Sequence, residues 1–423
     1  MPQELLLRHL KIVDPANGRE EQDGDLAIRD GVLVEPSSLS PQAEERDCCG
    51  LTATPGFIDL HVHLREPGQT YKDDLLTTTA AAVHGGFTTV LAMPNTVPAL
   101  DSLEHFAPLR ERLPLAPIKV HQACALTKGR QGQELTDIAT LAASGVFPAF
   151  SDDGSTPQDP TLMRRAMQLL AAANLPVIDH CELLALSKPG VMHRGKVSEE
   201  LGLPGQPREA EENIVRRDIQ FCAETGCRVH LQHLSSAGSV ALLREARQRA
   251  LPVTGEATPH HLQFTDEAVR RFGTNAKMAP PLREESDRQA LLQGIADGTI
   301  TVIATDHAPH TAEEKATGML KAPFGIIGLE AAFPIALTLL WDSGLISLSR
   351  LVSLFTSGPA AVLGLNAGTL SLGAPADVTL LDLAVRRQLD VSSFHSRSRN
   401  CPYDGLDCRG RVVQVFVDGV ARL

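Results

Sequence analysis

Two histidines one residue apart, His61 and His63, close the short apolar run GFIDLHVH (56–63). In an extended strand residues i and i+2 face the same way, so the two imidazoles stand side by side and can share one ion. A lone His-x-His at a strand end is more often a surface or hydrogen-bonded pair than a ligand set. This one has company. Other apolar runs end in Asp152-Asp153, Asp179-His180, His233 and Asp306-His307. Four histidines (His61, His63, His180, His233) and two aspartates are nitrogen and oxygen donors of zinc type, with no thiolate needed. Six such side chains exceed one tetrahedral site and suit two ions sharing a carboxylate.

These residues lie some 250 positions apart at the extremes, so the fold must gather them. The runs are 56–63, 88–93, 118–126, 146–152, 176–181, 228–234, 252–258 and 301–307, eight in all, and amphipathic stretches such as PTLMRRAMQLLAAAN separate them. Continuous apolar strands alternating with helices mean parallel sheet. Eight of them close a (β/α)8 barrel, whose strand C-termini converge on one mouth. An open doubly wound sheet is the alternative, but its phosphate-binding G-x-G-x-x-G is missing. The two ends of the chain read differently. LLLRHLKIV, DLAIRDGVLVE and RVVQVFVDGVARL are strands, the last two turning at Asp30-Gly31 and Asp418-Gly419. They predict a small sheet built from both termini, with residues 1–52 and 361–423 flanking a barrel at 53–360.

The chain has 423 residues, 43% apolar and 21% charged, enough for a large core. Its net charge of −12 repels phosphate backbones and argues against nucleic-acid binding. No run of 18 apolar residues occurs, and the N-terminus lacks the apolar centre of a signal peptide, so a cytoplasmic enzyme off the membrane is expected. The stretch GIIGLEAAFPIALTLLW contains Glu330 and Pro334 and predicts a buried helix. Eight cysteines without a C-x-x-C spacing predict reduced packing residues. Gly190-x4-Gly195-Lys196 imitates a phosphate loop, but Val197 replaces the needed hydroxyl. His230 is expected to be interior structure, His260-His261 either packing or lining for the site. His84, His105, His121, His193 and His395 show no partner pattern. EAEEN (209–213) is expected to be a solvated helix start.

PGFIDLHVHLREPG (55–68), AMPNT (92–96), FSDDGS (150–155), DHCE (179–182), ATDHAPH (304–310) and PFGIIGLE (323–330) resemble the dihydroorotases of the zinc amidohydrolase superfamily. The likeness covers most of the chain and includes GTLSLGAPADVTLLD (368–382) of the closing β-sandwich. It implies two Zn2+ per subunit: His61, His63 and Asp306 around the more buried ion, His180 and His233 around the other, Asp153 between them. It implies that Arg65, Asn95 and His310 grip a substrate carboxylate, that the Phe324-Gly325 backbone touches a ring amide, and that Asp306 carries the proton. The reaction implied is reversible cyclisation of N-carbamoyl-L-aspartate to L-dihydroorotate, the third step of pyrimidine synthesis. Two departures stand out. No lysine occurs in the fourth run, where many relatives carry a carboxylated one, so Asp takes its place. Ala279 stands before PPLR, where the family often has Asn. The alternatives are a related allantoinase or hydantoinase, a non-catalytic subunit supporting aspartate transcarbamoylase, and a phosphotriesterase-like hydrolase. Arg65 speaks against the first, the intact ligand set against the second, and nothing specific supports the third. A homodimer or an aspartate transcarbamoylase complex is the assembly the resemblance suggests.

Overall fold

A computed structural model describes residues 4–423. The chain opens with β1 (Glu4–Asp14), β2 (Arg19–Arg29), β3 (Val32–Val34), β4 (Glu44–Asp47) and β5 (Thr52–Pro55). In β1, Leu5 and Leu7 alternate inward, then a bulge at His9, with φ +60°, resets the register so that Leu10 and Ile12 stay inside. Asp30 and Gly31 both have positive φ (49° and 83°), the primed turn that suits a two-residue hairpin between β2 and β3.

The barrel follows at once. Only Gly56 separates β5 from β6 (Phe57–Val62), and a Cβ there would lie 2.2 Å from the Thr88 side chain. The next strands are β7 (Phe87–Ala92), β8 (Lys119–Gln122) and β9 (Val177–Asp179). A small parallel pair, β10 (Met192–His193) and β11 (Gly205–Gln206), lies on an excursion above the mouth. Then come β12 (Val229–Leu231), β13 (Val253–Ala257) and β14 (Val302–Ile303). Strands β6, β7 and β8 pair in parallel, as do β9, β12, β13 and β14. Phe150 joins the two groups by bridging to Cys124 and Val177, and a bridge from Val62 to His307 closes the ring. The fourth run, expected as a full strand, is thus a single bridge. Pro148 inside it has no N–H to offer a ladder.

Ile58, Leu60, Leu91, Met93, Ile178 and Val302 fill the barrel interior, and Val362 and Leu363 of the helix Ser357–Leu363 pack against them. The outer helices bury one face each. In Pro160–Ala172, started by the Asp159 carboxylate on the Thr161 N–H, Met163, Ala166, Met167 and Leu170 point inward. Each large side chain so buried contributes about 1.5–3 kcal/mol. The expected apolar helix exists as Ala332–Ala336 and continues as a wider π-type turn, Leu337–Asp342.

The chain returns to the first sheet with β15 (Val378–Gln388), β16 (Asp407–Val417) and β17 (Val420–Ala421). β15 runs antiparallel to β5, Thr379 opposite Thr54, so both ends build one sheet of order β17-β16-β15-β5-β1-β2-β3, with β4 on the side of β1. The β-sandwich core is Leu5, Leu7, Leu10, Leu26, Ile28, Leu33, Val378, Leu380 and Phe416. The connection between β15 and β16 leaves this sheet. Leu389, Val391, Phe394, Cys401 and Tyr403 pack with Ala308, Ile326 and Ile335 beneath the barrel mouth. All eight cysteines are free and all but Cys49 are buried. Among the described residues no helix is long and apolar enough to cross a membrane.

Candidate metal centre

The ends of β6, β9, β12 and β14, with the turn after Phe150, bring His61, His63, Asp153, His180, His233 and Asp306 together, all buried. His61 Nε2 lies 3.2 Å from Asp153 Oδ1 and 3.3 Å from Asp306 Oδ1. His63 Nε2 is 2.9 Å from Asp306 Oδ1. His180 Nδ1 faces His233 Nε2 at 2.8 Å and Asp153 Oδ1 at 3.7 Å. Zinc bonds of ~2.0–2.1 Å in a tetrahedron put two donors roughly 3.3 Å apart, so these spacings fit a divalent ion on either side of Asp153.

The outer nitrogens explain why the inner ones point inward. His61 Nδ1 meets Glu256 Oε1 at 3.0 Å, His63 Nδ1 meets Asn95 Oδ1 at 2.8 Å, and His180 Nε2 meets Glu182 Oε2 at 3.1 Å. Each outer N–H has an acceptor, which fixes the tautomer and leaves a lone pair toward the centre. Glu256, at the end of β13, also takes His230 Nε2 at 2.9 Å. Burial works against its charge, but the hydrogen bonds with His230 and His61 outweigh it and hold its pKa down to about 2. Burial opposes charge on His61, but the carboxylates of Asp306 and Asp153 outweigh it and favour positive charge at the place its Nε2 faces. A site that concentrates so much negative charge has the electrostatics of a cation site.

Backbone strain helps to aim the side chains. Arg65, His233 and Asp306 have φ of 61°, 30° and 46°, a region costly for residues with a Cβ. The two neighbouring aspartates part company: Asp152 accepts the Thr127 N–H at 3.0 Å and its hydroxyl, while Asp153 faces the centre.

A cavity of about 460 Å3 opens over this cluster, lined among others by Arg65, Asn95, Ala279, His310 and Phe324. Arg65 is 7% exposed. Its Nε donates to the Pro309 carbonyl at 3.1 Å and its Nη2 to His310 Nε2 at 3.2 Å. Arginine can only donate, so His310 Nε2 accepts, while its Nδ1 lies between Glu314 Oε2 at 3.2 Å and Lys72 Nζ at 3.3 Å. Burial, then the cations Arg65, Lys72 and Lys315, press His310 down to about 2, so it stays neutral.

Two residues expected to touch substrate also have partners within the protein. Asn95 lines the cavity, but its amide bridges two cluster members, accepting from His63 and donating to Asp153 Oδ2 at 3.0 Å. Gly325 has its N–H on the Lys277 carbonyl, and its own carbonyl takes both Lys315 Nζ and Asn400 Nδ2 at 2.9 Å. Its backbone has no free hydrogen-bonding group for a ring amide, because the loop uses both to hold itself; Phe324 alone of the pair lines the cavity.

Sequence reasoning missed Glu256, Glu182, Lys315 and Asn400. A glutamate inside the apolar run PVTGEAT was a readable signal; Asn400 and Lys315 had none. EAEEN is a correction too: Glu211 is buried, paired with Arg283 and accepting the N–H groups of Ser235 and Ser236. His84 stacks on His395 with centroids 3.5 Å apart. Neither ring nitrogen of buried His260 has a partner among the described residues, while His261 bonds Thr258 and the Pro280 carbonyl.

The amidohydrolase family pattern matches residues 52–422. Curated dihydroorotases of Bacillus cytotoxicus and Bacillus cereus are each 43% identical over 398 residues, 93% of this chain and 93% of theirs. In three dimensions the chain resembles an L-hydantoinase (dihydropyrimidinase) from Arthrobacter aurescens, with a TM-score of 0.87 and 24% identity over 99% of this chain and 95% of the other. A dihydropyrimidinase from Brevibacillus agri gives 0.87 and 22%, over 99% and 94%. These two likenesses speak for the barrel and sandwich alone.

Proposed function

The chain belongs to the amidohydrolase family and, within it, to the dihydroorotases, and from that premise we propose that its centre interconverts L-dihydroorotate and N-carbamoyl-L-aspartate for pyrimidine synthesis in the cytoplasm. The observation that carries this reading is the pairing, in one cavity, of a metal-binding cluster with a buried arginine fork. In the proposal His61, His63 and Asp306 would hold one Zn2+, His180 and His233 would hold the other, and Asp153 would serve both. Bound zinc would supply Lewis acidity toward an amide carbonyl and a water at neutral pH.

The chain's own residues supply the rest. The ring carboxylate meets Arg65, whose bidentate fork suits it as lysine would not. Two of its five N–H groups are used on Pro309 and His310, which leaves both hydrogens of Nη1 and one of Nη2 for the substrate. Asp306 takes the proton of the attacking water and delivers it to the leaving ring nitrogen; in the cyclising direction it accepts the ureido proton. His310, neutral, braces the guanidinium without competing for the carboxylate as a second cation.

Hydantoin and allantoin lack the same ring carboxylate, so they separate the readings. Turnover of L-dihydroorotate and N-carbamoyl-L-aspartate by the zinc-loaded protein, well above turnover of hydantoin or allantoin, supports the proposal. Preference for hydantoin would move the chain to the hydantoinases.

A further inference from the structure

Asp153 has a short side chain, so its carboxylate goes where its backbone goes. That backbone is an irregular turn, with the Ser155 N–H on the Asp152 carbonyl at 2.9 Å, beyond the bridge at Phe150. Nothing in a β-ladder fixes it. A shared ligand must nevertheless be held to within about 0.5 Å.

The Asp153 N–H donates to Ser151 Oγ at 3.0 Å and the Asp152 carboxylate is tied to Thr127; the carbonyl side of the turn is held by one side chain from a different loop. Arg130 Nη2 faces the Asp153 carbonyl, the Asp152 carbonyl at 3.3 Å and Ser155 Oγ at 3.0 Å. Ser155 Oγ in turn lies 3.3 Å from the Arg130 carbonyl. The guanidinium grips main chain and leaves the carboxylate free: Asp153 Oδ1 stays 3.2 Å from His61 Nε2, and Oδ2 stays 3.0 Å from Asn95 Nδ2. Arg130 is not there for its own comfort. Its Nε is buried with no partner among the described residues, and its φ is +56°. An unsatisfied donor on a strained backbone marks a position kept for what it holds.

We propose that Arg130 is a positioning residue for the metal centre: by clamping the carbonyls of Asp152 and Asp153 it sets the place of the shared carboxylate and hence the affinity for the ion on the side of His180 and His233. This rests on Asp153 being the shared ligand. The probe is the metal alone. Zn2+ per chain is measured by atomic spectroscopy after dialysis against graded free Zn2+, and Co2+ loading is followed by visible absorption, with circular dichroism to fix the folded fraction. Arg130→Met should weaken binding of the second ion at least ~10-fold, the scale of losing a group that orients a ligand, and should alter the cobalt spectrum at equal folded fraction. Lys128→Ala, in the same loop but exposed and paired with Glu134, should match the wild type. If Arg130→Met does not fold, Arg130→Gln, which keeps one donor and no charge, is judged by the same two readouts. A folded Arg130 variant with wild-type zinc affinity and cobalt spectrum overturns the inference. Asp153→Ala tells the two failures apart: if it loses zinc while Arg130→Met does not, only the clamp is wrong; if it keeps all its zinc, the assignment of the centre is wrong as well.

Discussion

Replacing Arg65 by alanine removes a guanidinium that lines the cavity from a nearly water-free position. Truncating one side of a desolvated charge pair costs about 2–5 kcal/mol. At about 1.36 kcal/mol per decade this is a loss of roughly 30- to 5,000-fold in kcat/KM for L-dihydroorotate. Arg65 makes no hydrogen bond to any of the six clustered side chains; its partners are Pro309 and His310. Zinc content should therefore be unchanged, and the loss should fall mainly on KM if the carboxylate is held equally in ground and transition states. Arg65→Lys should recover only part, because the fork and its bracing to His310 are both lost. The assay is steady-state turnover in both directions, with zinc per chain measured on the same preparations. Unchanged kcat/KM in Arg65→Ala, at full zinc loading, would refute the carboxylate role and with it the choice of substrate.

Asp306→Asn should lower kcat at least ~10²-fold in both directions, the usual scale for a lost general acid–base group; near-normal turnover would place the proton carrier elsewhere. Metal-stripped protein should regain activity with Zn2+ alone, since no lysine in the fourth run offers a site for CO2; a bicarbonate requirement in reactivation would contradict this. Asp152→Ala, which breaks the tie to Thr127, should lower thermal stability by about 1–3 kcal/mol and keep more zinc than Asp153→Ala, as read by calorimetry and metal analysis. His84 is held at about 4 by burial and by its neighbour His395. Between pH 6.5 and about 4 the unfolded chain binds a proton there that the folded chain does not, so stability falls as pH falls through that window; His84→Phe should flatten the denaturation profile there, and a ring titrating near 6.5 by NMR would deny it.

Much of the architecture can be read from local pattern. Apolar runs separated by amphipathic helices are features of neighbouring residues, and so is the Asp-Gly pair that turns β2 into β3. The failures share one cause. Pro148 sits in a run that otherwise resembles its neighbours, and whether a missing N–H matters depends on the strand beside it. Glu211 stands among glutamates that face water, and only the fold brings Arg283, 72 residues on, against it. Gly325 lies in a motif that suggests substrate contact, yet Lys277, Lys315 and Asn400 occupy its backbone groups.

The sequence by itself determined the inventory: four histidines and two aspartates at strand ends, one arginine two residues past His63, and a barrel able to gather them. Strand periodicity and donor chemistry are short-range, and they survive without coordinates. Which acceptor each imidazole meets, which of two adjacent aspartates turns inward, and which distant arginine clamps that turn were decided only by tertiary structure. Apart from His180 and Glu182, two positions apart, those pairings join residues 23 to 243 positions apart, and their energies depend on burial and on distances of a few tenths of an ångström, which no local pattern encodes.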